Sequence, residues 1–409
     1  MYFGENWSIP CMDSRLNFVA DSIIKGKAYP ALATWSAKPY TNEWRQFGQH
    51  WPHTIPCELH EHCKTHRYPY QLQTIDQTTE LDCLYCIGLG FFNFDIDYFS
   101  LIPEKIISAV KKQQLKILFY YHEGDNPYRI KQRLDQLCKN HQLKINSYKF
   151  VSGNTAADLI KNFAWFPDHE LLYWHRNQKI PATSIHLNAR PYDFTVLNRT
   201  HKWWRATIMT DLVNRKILNR SQWSYNTKVQ VDDVPENNPL EIELLGLNSQ
   251  IDNFLSQGPY TCDSLTADQH NNHHLHVPEH YTQSYCHIVL ETHYDADQSG
   301  GAFLTEKTFK PIKHGQPFVI VGPAGSLAAL RKLGYRTFDH VIDNSYDQEI
   351  DNTQRWIKLR NTIEQIKSQN LHMWFTKCLD DICHNQQLFC SDKYNRLNNL
   401  HHKLFKKHD

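Results

Sequence analysis

The stretch HIVLETHYDADQSGGAFLTEKTFKPIKHGQPFVIVGPAGSLAALRKLGYRTFD, His287 to Asp339, decides how the rest of the chain is read. HIVLE and PFVIVG are apolar, β-branched runs of the kind that form parallel strands buried on both faces. Between them Thr305 stands where a helix needs its N-cap, and Glu306 and Lys307 open that helix. Gly300 and Gly301, just upstream, let the backbone come close to a ligand. The helix start therefore presents N–H groups, a carboxylate and an ammonium together. A nucleotide sugar asks for this set: a carboxylate accepts hydrogen bonds from ribose hydroxyls, while a lysine and helix amides neutralise a diphosphate. Glu291, after the first strand, is a second acidic candidate on the same side. Beyond the second strand, Pro323-Ala324-Gly325-Ser326 makes another strand-to-helix turn, with Ser326 as the expected cap.

Working outward, Asp193 to Leu197 reads as a short strand, and Asn198 to Arg205 opens a long helix. Cations are poorly placed at a helix start, which favours negative charge, so Arg199 and Arg205 ask for an anionic ligand there. Further upstream, LDCLYCIGLGFF, LKILFYY and YKFVSGN are apolar runs separated by the amphipathic stretches PEKIISAVKKQQ and PYRIKQRLDQLCKNHQL. Short strands alternating with helices predict a parallel sheet wrapped by helices. Ligands of such sheets bind beyond the carboxyl ends of the strands, which singles out His122, Glu123, Asp125 and Asn154. Glu123 is the expected general base, whereas Asp125-Asn126-Pro127 reads as a turn capping the next helix. The expected organisation is an irregular segment over 1–78 and an acceptor-side Rossmann-like domain over 79–190. A donor domain over 191–345 and C-terminal helices over 346–409 complete it.

With 409 residues the chain is long enough for at least two cores at about 150 residues per domain. Its 44 Lys and Arg against 43 Asp and Glu leave no global basic field of the kind that draws in nucleic acid unspecifically. No uncharged apolar run approaches the roughly 18 residues that a membrane span needs, and a cytoplasmic location is expected. Eleven cysteines scattered through a long chain favour reduced thiols. The cluster from Cys57 to His66 is metal-like in composition. Its nearest partner pair, Cys83 and Cys86, lies in a strand-like run that turns alternate residues to opposite faces, so no metal is assigned. The His-rich stretch ADQHNNHHLHVPEHYTQ reads as a solvated loop. The amphipathic terminal helices offer a surface for oligomerisation.

Glu291 followed by Phe303-Leu304-Thr305-Glu306-Lys307 and then by the strand Pro317 to Gly322 resembles the donor-binding region of α1,3-fucosyltransferase-like glycosyltransferases. It also resembles bacterial and phage glycosyltransferases more generally. The resemblance implies an α/β chain with two Rossmann-like domains facing across a cleft, the GT-B arrangement. It further implies a nucleotide-diphosphate sugar as donor, an inverting reaction, and no obligatory metal or other cofactor. Glu306 and Lys307 would hold ribose and phosphate, with Arg199 or Arg205 assisting. Leu290-Glu291-Thr292 and Thr308-Phe309-Lys310-Pro311-Ile312 depart from the family pattern, which leaves the donor open between GDP-fucose and other nucleotide sugars. The acceptor is a glycan, a protein or nucleic acid. Two alternatives stand beside this reading: a phage-type DNA-modifying glycosyltransferase acting on a hydroxymethylated base, and a noncatalytic nucleotide-binding protein.

Overall fold

A computed structural model describes residues 15–20, 22–24, 27–29, 59–74, 83–90, 92–176, 182–227, 238–262, 277–295 and 299–405. Cys57, much of the stretch expected to be irregular, and most of the His-rich loop lie outside the described residues. The chain divides into two compact units. The first runs to Gly153 and adds residues 157–166 and 392–409; the second comprises residues 154–156 and 167–391.

The first unit is built on β1 (Leu16–Ala20), β4 (Tyr70–Thr74), β5 (Cys83–Leu89), β6 (Leu115–Tyr121), β7 (Tyr148–Ser152) and β8 (Phe163–Trp165). These form one six-stranded sheet in the order β4-β1-β5-β6-β7-β8, parallel throughout. A small antiparallel pair, β2 (Ser22–Ile24) and β3 (Lys27–Tyr29), follows β1. Every residue of β5 is buried, which explains why its sequence is a continuous apolar run rather than an alternation. Asn126 caps the helix Pro127–Asn140 by accepting from Tyr128 N at 3.0 Å and Arg129 N at 3.4 Å, and Pro127 supplies the first turn. Ile130, Leu134, Leu137 and Cys138 then recur on its buried face. Within the N-terminal stretch expected to be irregular, β1 and β4 are sheet strands. They escape a reading by periodicity because each is only five residues long and stands apart from the other in sequence.

The second unit holds β9 (Tyr192–Asn198), β10 (Gln222–Tyr225), β11 (Ser284–Leu290) and β12 (Phe318–Val321), in the order β10-β9-β11-β12 and again all parallel. The helices Trp203–Asn214, Glu306–Lys313, Ser326–Lys332 and Asn352–Lys367 belong to this unit. Each unit is thus a parallel, helix-wrapped Rossmann-like sheet, as the alternation of strands and helices predicts. No helix among the described residues is long and apolar enough to cross a membrane.

Strand order fixes where a ligand can enter. In the second unit the chain leaves β9 for β10 on one side and returns for β11 on the other, so connections diverge between the carboxyl ends of β9 and β11. Such a switch point opens a crevice. In the first unit the divergence lies between β1 and β5.

Candidate donor site at the switch point of the second unit

The residues that follow β9 and β11 are Arg199 and Glu291, and the helix Glu306–Lys313 starts beside them. Glu291 is 0% exposed, and its carboxylate is engaged on every side. It accepts from Thr305 N at 3.1 Å, Thr305 Oγ1 at 2.6 Å, Thr292 N at 3.1 Å, and the Thr308 hydroxyl. Thr305, held in this way, accepts from Lys307 N at 3.4 Å and from Lys307 Nζ at 3.0 Å. Lys307 Nζ also donates to Thr292 Oγ1 at 2.9 Å and stands 3.8 Å from Glu306 Oε1. Glu291 therefore anchors the helix start, and Glu306 and Lys307 are the charged residues that open the helix. Thr305 is the helix cap that the sequence predicts.

Glu306 is 9% exposed, and its second oxygen lies 3.6 Å from His169 Nδ1. Burial lowers the pKa of the Arg199 guanidinium, and the charge of Glu306 opposes that shift. Lys310, one turn beyond Glu306, is lowered by burial, by Lys307 and by Arg199, against Glu306 and Glu291. Arg205 is 3% exposed; it donates to Thr200 Oγ1 at 2.9 Å and to the Glu291 carbonyl, and its guanidinium lies 5.1 Å from the Trp204 ring. Its buried fork ties the first turn of the helix Trp203–Asn214 to the end of β11. Burial lowers His293 to about 3, helped by the charges of Lys202, Lys307 and Arg205. Its imidazole is thus neutral at physiological pH. Five cations, Arg199, Lys202, Arg205, Lys307 and Lys310, share this neighbourhood with two carboxylates, Glu291 and Glu306. That excess of positive charge favours a ligand with more than one negative charge.

Phe303 lies between two histidines, with ring centroids 5.2 Å from His169 and 5.8 Å from His293. Gly301 makes room for a neighbouring loop of the chain. A Cβ on Gly301 would come within 2.6 Å of Asn154 Oδ1 and 2.9 Å of Ala156 N, so its small size admits residues 154–156. Asn154 Nδ2 bonds Ser299 O at 2.6 Å, and Thr155 N bonds Ala302 O at 2.9 Å, fixing the loop in front of Phe303. Ser326 does not cap by side chain; Asp347 accepts from Leu327 N at 2.8 Å and Ala328 N at 3.0 Å in its place.

The sequence comparisons match no family model and no curated protein. The chain is similar in structure to glycosyltransferases of two kinds. One solved structure is of T4 phage BGT in complex with UDP and Mn2+, at 9% identity and a TM-score of 0.36, covering 96% of this chain and 100% of that one. A second is of the DNA-modifying enzyme β-glucosyltransferase with and without uridine diphosphoglucose, at 10% identity and a TM-score of 0.38, covering 96% and 99%. A third is an α1,3-fucosyltransferase, at 10% identity and a TM-score of 0.29, covering 93% and 94%. At TM-scores below 0.5 such likenesses carry no argument about this chain, whose site is read from its own residues.

Of the residues expected from sequence, Arg199, Arg205, Glu291, Glu306 and Lys307 come together in the second unit. Glu123 belongs to the first unit, beyond the end of β6, which is one strand from the switch point. Its carboxylate is 31% exposed and 3.5 Å from His122 Nε2, and its carbonyl accepts from Gly153 N at 3.2 Å. Lys202, His293, Lys310 and His169 were not singled out by sequence. Lys310 had a legible signal, since it follows Glu306 by four residues on one helix face. Among the described residues no group of three or more His, Cys, Asp or Glu could hold a metal ion, and Cys63, Cys83 and Cys86 are buried and form no disulfide.

Three histidines with lowered pKa make the fold sensitive to acid. His293 and His287 are lowered to about 3 and His66 to about 4, each first by burial, against an ordinary 6.5. Below 6.5 the unfolded chain binds protons that the folded chain refuses. Their contribution is therefore fully present above that pH and is lost as pH falls toward the folded values. The melting temperature is expected to decline steadily from about pH 6 downward. Replacing His293 with Phe is expected to shallow that decline; thermal melts across pH 4 to 8 that superimpose for both proteins would contradict it.

Proposed function

We propose that the chain is a glycosyltransferase that uses a nucleotide-diphosphate sugar, with its donor in the crevice between β9 and β11. The observation that carries this reading is the concentration of Arg199, Lys202, Arg205, Lys307 and Lys310 around a carboxylate and a neutral imidazole at a switch point. Cations answer a diphosphate; Glu306 answers ribose hydroxyls. Neutral His293 adds a hydrogen-bonding group without adding or cancelling charge.

In this reaction an acceptor hydroxyl oxygen attacks the anomeric carbon, and the bond from that carbon to the diphosphate oxygen breaks. The hydroxyl proton passes to a general base, for which Glu123 is the candidate, and the electron pair of the broken bond leaves with the nucleoside diphosphate. Arg199 and Lys307 hold the charge that grows on the leaving oxygen. One displacement inverts the anomeric centre. The fixed cations fill the place that a divalent ion takes in other transferases, so turnover is expected to be unchanged by EDTA. A loss of turnover restored by added metal would contradict that part of the reading.

Glu123→Gln tests the base. Turnover is expected to fall by roughly 100- to 10,000-fold, while nucleotide binding stays within about twofold. Unchanged turnover would remove Glu123 from the reaction; loss of binding and turnover together would give it a structural role.

A further inference from the structure

The cationic residues account for the phosphates of a donor but leave one feature of the same crevice unused. Asn198, the last residue of β9, is 3% exposed, and neither its Nδ2 nor its Oδ1 has a hydrogen-bond partner. Among the described residues it is the one buried side chain with two such atoms. Its backbone is satisfied: it pairs with Tyr225 across the sheet, and its carbonyl accepts from Asn226 N at 3.2 Å. The side-chain amide alone is left over, next to Arg199 and at the strand end where the switch point opens. A buried amide without partners disfavours the empty protein, because burial removes its water without giving anything back.

We infer that the Asn198 carboxamide is a ligand-binding group reserved for a part of the donor that both donates and accepts hydrogen bonds. The chemistry is selective. A phosphate only accepts, so it would satisfy Nδ2 and leave Oδ1 stranded; a cation would do the reverse. A group bearing a donor beside an acceptor satisfies both atoms at once. In a nucleotide sugar two parts qualify, the amide edge of a nucleobase and the hydroxyls of a sugar. The crevice then divides its work, with Arg199, Lys307 and their neighbours holding the diphosphate and Asn198 reading what is attached to it. Discrimination of this kind is strong, because a wrong partner leaves buried polar atoms unpaired. This inference rests on the donor-site reading given above.

The test uses the full chain, wild type and Asn198→Leu, with UDP, GDP, UDP-glucose, GDP-fucose and inorganic pyrophosphate as probes in calorimetric titrations. Leucine has nearly the shape of asparagine and no polar atoms. For the best-bound nucleotide or nucleotide sugar, Asn198→Leu is expected to weaken binding about tenfold or more, as loss of two buried hydrogen bonds implies. Pyrophosphate binding is expected to change less than twofold. A loss already seen with the nucleoside diphosphate assigns the amide to base or ribose; a loss seen only with its sugar assigns it to the transferred sugar. Melting of the ligand-free variant supplies the second readout: leucine is expected to leave the midpoint unchanged or raise it. Equal weakening of pyrophosphate and nucleotide, no weakening, or a lowered midpoint in the free protein would each overturn the inference. If the wild type binds none of the five probes, the donor-site reading itself fails and this inference falls with it.

Discussion

Replacing Lys307 with alanine is expected to weaken nucleoside diphosphate binding roughly 10- to 100-fold and to lower turnover further still. The ammonium is held by Thr305 Oγ1 at 3.0 Å and Thr292 Oγ1 at 2.9 Å, so its position is set before any ligand arrives. A pre-placed charge spends little on ordering and acts fully on the charge that develops as the diphosphate departs. Lys307→Arg should not rescue it, because a planar fork cannot occupy the two threonine acceptors of a compact ammonium. The measurements are calorimetric affinity and steady-state turnover. An affinity unchanged in Lys307→Ala would move the phosphate subsite elsewhere. Salt supplies a companion check: with so many cations in one crevice, affinity should fall as ionic strength rises.

The second large effect is on stability. Glu291→Ala is expected to cost about 2–4 kcal/mol, read by denaturant unfolding, because it strands the Thr305 and Thr292 N–H groups and two threonine hydroxyls in a buried place. Glu291→Gln keeps the shape and one acceptor oxygen. The hydroxyls of Thr305 and Thr308 can rotate to accept from its amide nitrogen, but the two backbone N–H groups cannot, so a smaller loss is expected. Both variants should also weaken nucleotide binding, since Thr305, which orients Lys307, is fixed by Glu291. A Glu291→Ala protein as stable as the wild type would show that the carboxylate is not the anchor of the helix start. Full stability with impaired binding would make Glu291 a direct ligand, the role its place in the sequence first suggests.

That contrast shows what the sequence could and could not convey. β11, β12, the Thr305 cap and the charged helix start were legible because each is a local pattern: an apolar run, a capping residue, a charge next to a cap. The basic segment Asn198 to Arg205 was legible for the same reason. The roles of its members were not. Arg199 is partly exposed beside Glu306, whereas Arg205 is buried and bound to the Glu291 carbonyl; alike in sequence, they are separated by which face of the turn packs against β11. Glu291 and Glu306 part in the same way. His293 is lowered first by burial and then by Lys202, Lys307 and Arg205, and neither its burial nor that grouping is contained in any single stretch. Asn198 is invisible to pattern altogether, since an unpartnered amide is recognised only when every neighbour is known. The switch point itself depends on the order β10-β9-β11-β12, which sequence order does not give.

The central claim is that the crevice between β9 and β11 takes a nucleotide-diphosphate sugar and breaks its glycosyl–phosphate bond. Release of nucleoside diphosphate from a panel of UDP-, GDP-, ADP- and dTDP-sugars, followed for the wild type and for Lys307→Ala, tests it most directly. Slow release from at least one donor by the wild type, with water as the default acceptor, and its loss in Lys307→Ala is the result expected. No release from any donor, or release that Lys307→Ala leaves unchanged, would contradict it.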